Sequence, residues 1–146
     1  MNGYAYALIG AVLAQGAIAI VLVYLLGSIR VPMVASGKMK MRDIALSREP
    51  WPEHEKKVAN AFDNQFQLPV LFYVGCGLSL YFGTIWIEVI VAWLFVLTRV
   101  VHAVVFATTN RVQHRFFWYT AGLGILTFFW LELIARLVFF AIWNRV

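Results

Sequence analysis

Charge is what this chain has least of. Of its 146 residues only 13% are Asp, Glu, Lys or Arg, against 62% hydrophobic, where a soluble domain carries roughly 25% charged and 45–50% apolar residues. So little polar surface does not cover a globule in water, which excludes a soluble fold and leaves lipid as the solvent. Cysteine is nearly absent too. The single Cys76 has no partner for an intrachain disulfide, and no CxxC or Cys/His spacing offers a metal site. Cys76 reads as a small packing residue, and no metal cofactor is expected. A basic leader is also lacking, since no Lys or Arg precedes Arg30. The apolar stretch 4–29 exceeds the about 7–15 residues of a signal-peptide core and reads as a retained first span. There is no soluble-type repeat and no low-complexity segment.

What the chain has is apolar length. A helical span takes about 20 apolar residues, and four such stretches, about 4–27, 57–81, 85–107 and 115–142, nearly use up the sequence. The expected fold is an all-α, integral membrane four-helix bundle forming a single transmembrane domain. In the first span Gly10, Ala14 and Ala17, with Gly16 nearby, put small residues on one face, where helix backbones approach closely in lipid. Gln15 is its one strongly polar side chain, placed to bond across to another helix or to face a polar crevice. The loop 28–55 holds Pro32, Gly37, Pro50 and Pro52. Pro50-Trp51-Pro52-Glu53 reads as a helix start, with Trp51 at the headgroup level. Pro69 predicts a kink in the second span, because it denies the Gln65 carbonyl its usual donor. The turn 82–84 makes spans two and three antiparallel neighbours.

Lysines and arginines give an orientation. Arg30, Lys38, Lys40, Arg42, Arg48, Lys56 and Lys57 lie in or beside the first loop, and Arg111 and Arg115 flank the third. The second turn has none and the C-terminus only Arg145. Loops one and three are expected in the cytoplasm and both termini on the opposite side. This asymmetry accounts for the net charge of +5 without a nucleic-acid partner.

Ionisable side chains in the hydrocarbon cost a few kcal/mol or more, and here they cluster at the cytoplasmic ends of three spans. Asn60, Asp63, Asn64 and Gln67 stand at i, i+3, i+4 and i+7, one stripe of a helix. Arg99 and His102 share a face with Phe106, and Arg111, Arg115 and Tyr119 repeat at i, i+4 and i+8. Other readings compete. The amides serve as interhelical glue in one, Asp63 is a structural partner of Arg99 in another, and Glu132 and Arg136 form a self-neutralising i, i+4 pair. Three arginines with only Asp63 nearby leave positive charge uncompensated, which suits a pocket for an anionic, hydrogen-bonding ligand.

The run Arg99-Val100-Val101-His102, followed by Phe106, Arg111, Arg115 and Tyr119, resembles the family of membrane-associated proteins in eicosanoid and glutathione metabolism (MAPEG). The similarity is to a bacterial-type member nearest the microsomal prostaglandin E synthase and microsomal glutathione transferase branch. The segment 59–70 resembles the family's second-helix motif, basic-x-x-x-Asn-x-x-Glu followed by a proline. Lys56, Asn60 and Asp63 fit one register of it, and Asn60, Asn64 and Gln67 fit another. Phe106 stands where the synthases have tyrosine.

The resemblance implies a homotrimer in a bacterial inner membrane, using glutathione as co-substrate with lipophilic molecules. It implies Arg115 as the residue that activates the thiol. Arg99 and Arg111, with Arg30 or Lys56, would meet the glutathione carboxylates. Asn60 and Asp63, or Asn64 and Gln67, would bind its amine and peptide groups, and His102 and Tyr119 would orient the arginines or the ligand. Two further functions stay open, a lipid- or anion-binding membrane protein without chemistry and a small transporter with the stripes as its pathway.

Overall fold

The computed structural model describes residues 2–143, so Arg145 lies outside the described residues. The elements are α1 (Gly3–Ala35), a short turn of helix α2 (Met41–Ile44), α3 (Glu53–Asp63), a 3-10 turn (Asn64–Phe66), α4 (Leu68–Phe82), α5 (Trp86–Ala107) and α6 (Val112–Trp143). Four stretches are long and apolar enough to cross a membrane: Gly3–Ala35, Glu53–Phe82, Trp86–Ala107 and Val112–Ile142. The molecule is an all-helical, multi-pass integral membrane bundle.

Each helix buries one stripe and offers the rest to lipid. On α1 the buried side chains are Ala5, Leu8, Ala11, Gln15, Leu22 and Leu26, spacings of three, four and seven that keep to one face of a 3.6-residue helix. Leu13, Ile20, Val21 and Tyr24 between them are exposed. Gly10, of the expected small-residue face, meets Trp93 of α5, which donates its indole N–H to the Ala7 carbonyl at 3.2 Å. Ala14 and Ala17 line a shallow apolar groove along α5. At about 1.5 Å per residue α1 is about 50 Å long, well beyond a hydrocarbon core of about 30 Å. The helix runs through Pro32 into the segment expected as loop. Pro32 deprives only the Ser28 carbonyl of its donor, and Ser28 is exposed, so the loss is met by solvent.

The core lies between α1, α4, α5 and α6. Phe72 of α4 stacks on Phe95 of α5 with centroids 4.7 Å apart, and Leu8, Ala11, Leu126, Phe129 and Leu133 close around them. A Cβ on Gly75 would come within 2.9 Å of the Phe129 ring, so the absent side chain is what lets α4 and α6 touch.

The second span is broken. Helix α3 ends at Asp63, and α4 starts with Pro69 in its first turn. Between them the 3-10 turn and Gln67 (φ −105°, ψ −103°) change the direction of the chain. Gln65 of this break is buried. It donates to the Ala61 carbonyl at 3.1 Å and accepts from Gln15 of α1 at 2.9 Å, so the first span's lone amide bonds across to the helix break.

At the end of the bundle with the 83–85 turn, Glu88 is fully buried. Its carboxylate accepts from the Ile85 N–H at 2.8 Å, the Ser79 hydroxyl at 2.9 Å and Arg136 at 2.5 Å. Arg136 also donates to the Gly83 carbonyl at 2.7 Å. The expected Glu132–Arg136 pair is present at 3.8 Å but is the looser contact; Glu88, forty-eight residues away in the chain, holds the guanidinium. Trp51, expected among headgroups, is buried under the Arg30 guanidinium, 5.2 Å from its ring.

Candidate functional site

Glu88, Ala92, Phe95, Arg99, His102 and Phe106 are all buried on α5 and recur every three or four residues. One stripe thus carries apolar and polar groups alike against α6. Arg99 is 1% exposed, and burying a guanidinium in a membrane span is costly unless it is paired or hydrogen-bonded. Its Nη2 donates to the Trp118 carbonyl of α6 at 2.9 Å, and its charge lies against the faces of Phe95 (5.6 Å) and Tyr119 (5.4 Å). Its Nε has no partner, and among the described residues no carboxylate pairs with it. Gly122 of α6 supplies the space, since a Cβ there would lie 2.6 Å from Arg99 Nη2 and 2.7 Å from Thr98 Oγ1.

One turn further along α5, His102 places Nδ1 3.0 Å from the Arg115 carbonyl. A carbonyl only accepts, so Nδ1 carries the proton; in the neutral ring Nε2 is the bare nitrogen, buried and without a partner. The ring meets Phe106 edge-on and tilts against Tyr119, with centroids 5.7 and 5.8 Å away.

Arg115 opens α6. The turn before it puts Asn110 at φ 50°, a left-handed conformation that asparagine tolerates better than most residues. Asn110 Oδ1 accepts from Arg115 Nη1 at 2.8 Å, and the guanidinium lies 4.2 Å above the centre of the Phe106 ring. These two contacts hold a half-buried cation that has no carboxylate partner among the described residues. It borders a cavity of about 280 Å³ lined by Asn64, His102, Phe106, Arg115 and Tyr119 with Val112 and Phe116.

Of the residues singled out by sequence, Asn64, His102, Arg115 and Tyr119 meet at this cavity, and Arg99 lies behind it under Tyr119. The others stand elsewhere in the chain. Asp63 pairs with Arg48 of the first loop rather than with Arg99. That hydrogen bond, reinforced by the aspartate's charge, raises the Arg48 pKa above its ordinary value. Asn60 and Gln67 are exposed, and the Asn60 carbonyl accepts from Asn64 Nδ2 at 3.0 Å. Lys56 donates to the Glu49 carbonyl at 2.8 Å. Arg30 pairs with the buried Glu55 at 2.6 Å and lines, with Arg48 and Trp51, a separate open cavity of about 790 Å³. Arg111 is exposed just before α6.

Sequence reasoning missed Asn110, Gly122 and Gln65. An asparagine between two spans and a glycine inside an apolar helix were the available signals. Among the described residues no group of three or more His, Cys, Asp or Glu side chains is placed to hold a metal ion.

The family model described as "MAPEG family" matches residues 8–135. Comparison with curated proteins and with solved structures found no match to the chain.

Proposed function

The chain belongs to the MAPEG family, and on that premise we propose that it is a glutathione-dependent transferase or peroxidase acting on lipophilic electrophiles or lipid hydroperoxides. The observation that carries this reading is Arg115, a cation fixed over Phe106 and by Asn110 at the edge of a cavity and left, among the described residues, without a carboxylate. A free thiol has a pKa near 8.5, so only a few per cent is thiolate at pH 7. A guanidinium beside the sulfur favours the charged form, and each unit of depression is worth about 1.4 kcal/mol. Arginine suits this role because it keeps its charge in a low-dielectric crevice. Glutathione, when bound, supplies the nucleophilic sulfur.

The donor set fits such a ligand. Arg99 adds a buried positive charge behind the cavity, Tyr119 a phenol and Asn64 an amide, and Arg99 Nε and His102 Nε2 are buried polar atoms still unpartnered among the described residues. Arg30, Lys56, Asn60, Asp63, Gln67 and Arg111 lie outside the cavity of one protomer. In the homotrimer that this reading includes, a neighbouring subunit brings such groups to the cavity mouth. The basic first and third loops face the cytoplasm, so the thiol arrives from there while the lipophilic partner comes laterally from the bilayer.

The test is titration of the detergent-purified protein with glutathione, followed by ultraviolet thiolate absorbance. A saturable signal that Arg115→Ala abolishes is the expected result. Absence of binding at millimolar glutathione sinks the reading. A second reading, a lipid-binding protein of the same fold without chemistry, is favoured by the apolar groove of about 430 Å³ between α1 and α5. It predicts lipid retained through purification and no conjugate formed.

A further inference from the structure

We infer that Glu132 is kept as a carboxylic acid that donates its proton to the Glu88 carboxylate, so that one shared proton closes the end of the bundle away from the Arg115 cavity and rising pH loosens it. This closure is independent of the function proposed above.

Glu88 is the anion of the network. It is fully buried and has three donors: Arg136 at 2.5 Å to Oε1, and the Ser79 hydroxyl at 2.9 Å and the Ile85 N–H at 2.8 Å to Oε2. Glu132 is placed differently. Its Oε1 stays 3.8 Å from Arg136 Nε, too far for a hydrogen bond, and its Oε2 is buried without a donor among the described residues. Yet the Glu132 carboxyl lies within hydrogen-bonding reach of Glu88. Two ionised carboxylates only accept and repel each other, so a pair in contact holds a proton. On Glu132 that proton makes an O–H that fills the contact as a charge-assisted bond and leaves one anion facing one cation. The three donors already on Glu88 stabilise its charged form, so the proton belongs to Glu132.

Facing the pair, α4 brings Ser79 and the buried Cys76. The turn brings Thr84 and the Phe82 and Gly83 carbonyls, which Arg136 also binds. At this end of α1, Asn2 donates to the Thr84 carbonyl, and Tyr4 and Tyr6 are exposed. A further cation nearby would ease the repulsion without placing a hydrogen between the two carboxyls. Glu88 is buried within its own chain, so a neighbouring subunit does not reach it.

Loss of the proton sets a second anion beside Glu88, with Arg136 divided between them. Arg136 ties α6 to the turn between α4 and α5, so the repulsion acts on that seam. The proton is held in the folded chain and released where Glu132 meets water, so stability is highest at low pH and falls as pH rises.

Infrared spectroscopy and thermal unfolding of the full-length protein in detergent test this, on the native chain and on Glu132→Gln, whose amide N–H takes the place of the shared proton. The native protein at neutral pH should show the carbonyl stretch of a protonated carboxyl, and Glu132→Gln should lose it. From about pH 5 to about pH 8, the native melting temperature should fall by several degrees more than that of Glu132→Gln, because the amide does not ionise. No protonated-carboxyl band in the native protein overturns the inference, whether or not the variant folds. A band that survives in Glu132→Gln overturns it too, as does the same pH slope in both proteins.

Discussion

The Arg115 guanidinium lies 4.2 Å from the centre of the Phe106 ring, so an aromatic face on α5 aims a cation on α6. Two groups hold this cation, the ring below it and the Asn110 carboxamide beside it, and they separate by mutation. Phe106→Leu removes a cation–π contact worth about 0.5–2 kcal/mol. It should weaken glutathione binding and lower the thiolate signal several-fold without unfolding the protein. An unaltered titration would show that the ring does not position the charge.

Asn110→Gly preserves the left-handed turn and deletes only the side chain that binds Arg115. It should leave thermal stability close to native and lower turnover. Asn110→Ala loses the side chain and also strains the backbone by roughly 1–2 kcal/mol. It should therefore lower the melting temperature as well, and equal melting temperatures for the two variants would refute the backbone part of the argument.

Gly122→Ala brings a methyl group into Arg99 and Thr98. Displacing a buried guanidinium from its carbonyl partner in a tight interface should cost about 1–3 kcal/mol. Detergent unfolding followed by circular dichroism reads this directly, and a native-like transition would mean that α6 retreats without penalty.

At the opposite end, Glu88→Ala removes the buried carboxylate that accepts from Arg136, the Ser79 hydroxyl and the Ile85 N–H, and leaves Arg136 the Gly83 carbonyl and the looser Glu132 contact. Breaking a buried pair from one side costs about 3–5 kcal/mol. Glu88→Gln keeps the shape and should be milder. If the two variants unfold alike, the network's contribution is charge alone.

Gln15→Leu orphans the side-chain oxygen Oε1 of Gln65 at the helix break. The double variant Gln15→Leu, Gln65→Leu should cost less than the sum of the singles, with a coupling of about 0.6–1.7 kcal/mol. Strict additivity in a double-mutant cycle would show that the amides do not interact.

The four spans were legible because apolar length is a one-dimensional property, and the break near Pro69 because a missing N–H has a local consequence. The polar stripe of the second span was read on the assumption of one continuous helix. The 3-10 turn at Asn64 ends that continuity, so Asn60 and Gln67 are exposed while Asn64 reaches the cavity. The partners of Asp63 and Arg136 escaped for another reason. A helix spacing pairs a residue only with its neighbours three or four away, whereas Arg48 comes from a loop and Glu88 from a different helix. Arg99, His102, Arg115 and Tyr119 converge as their spacings implied, because α5 and α6 are unbroken there.

Two of the bonds that dock α5 on α6, from Arg99 to the Trp118 carbonyl and from His102 to the Arg115 carbonyl, end on main-chain oxygen. Main-chain oxygen is the same whatever side chain the residue bears. The axial register of the two helices is therefore indifferent to the identity of positions 115 and 118, and the chemistry displayed at the mouth of the cavity is free to change over evolutionary time while the scaffold beneath it stays put.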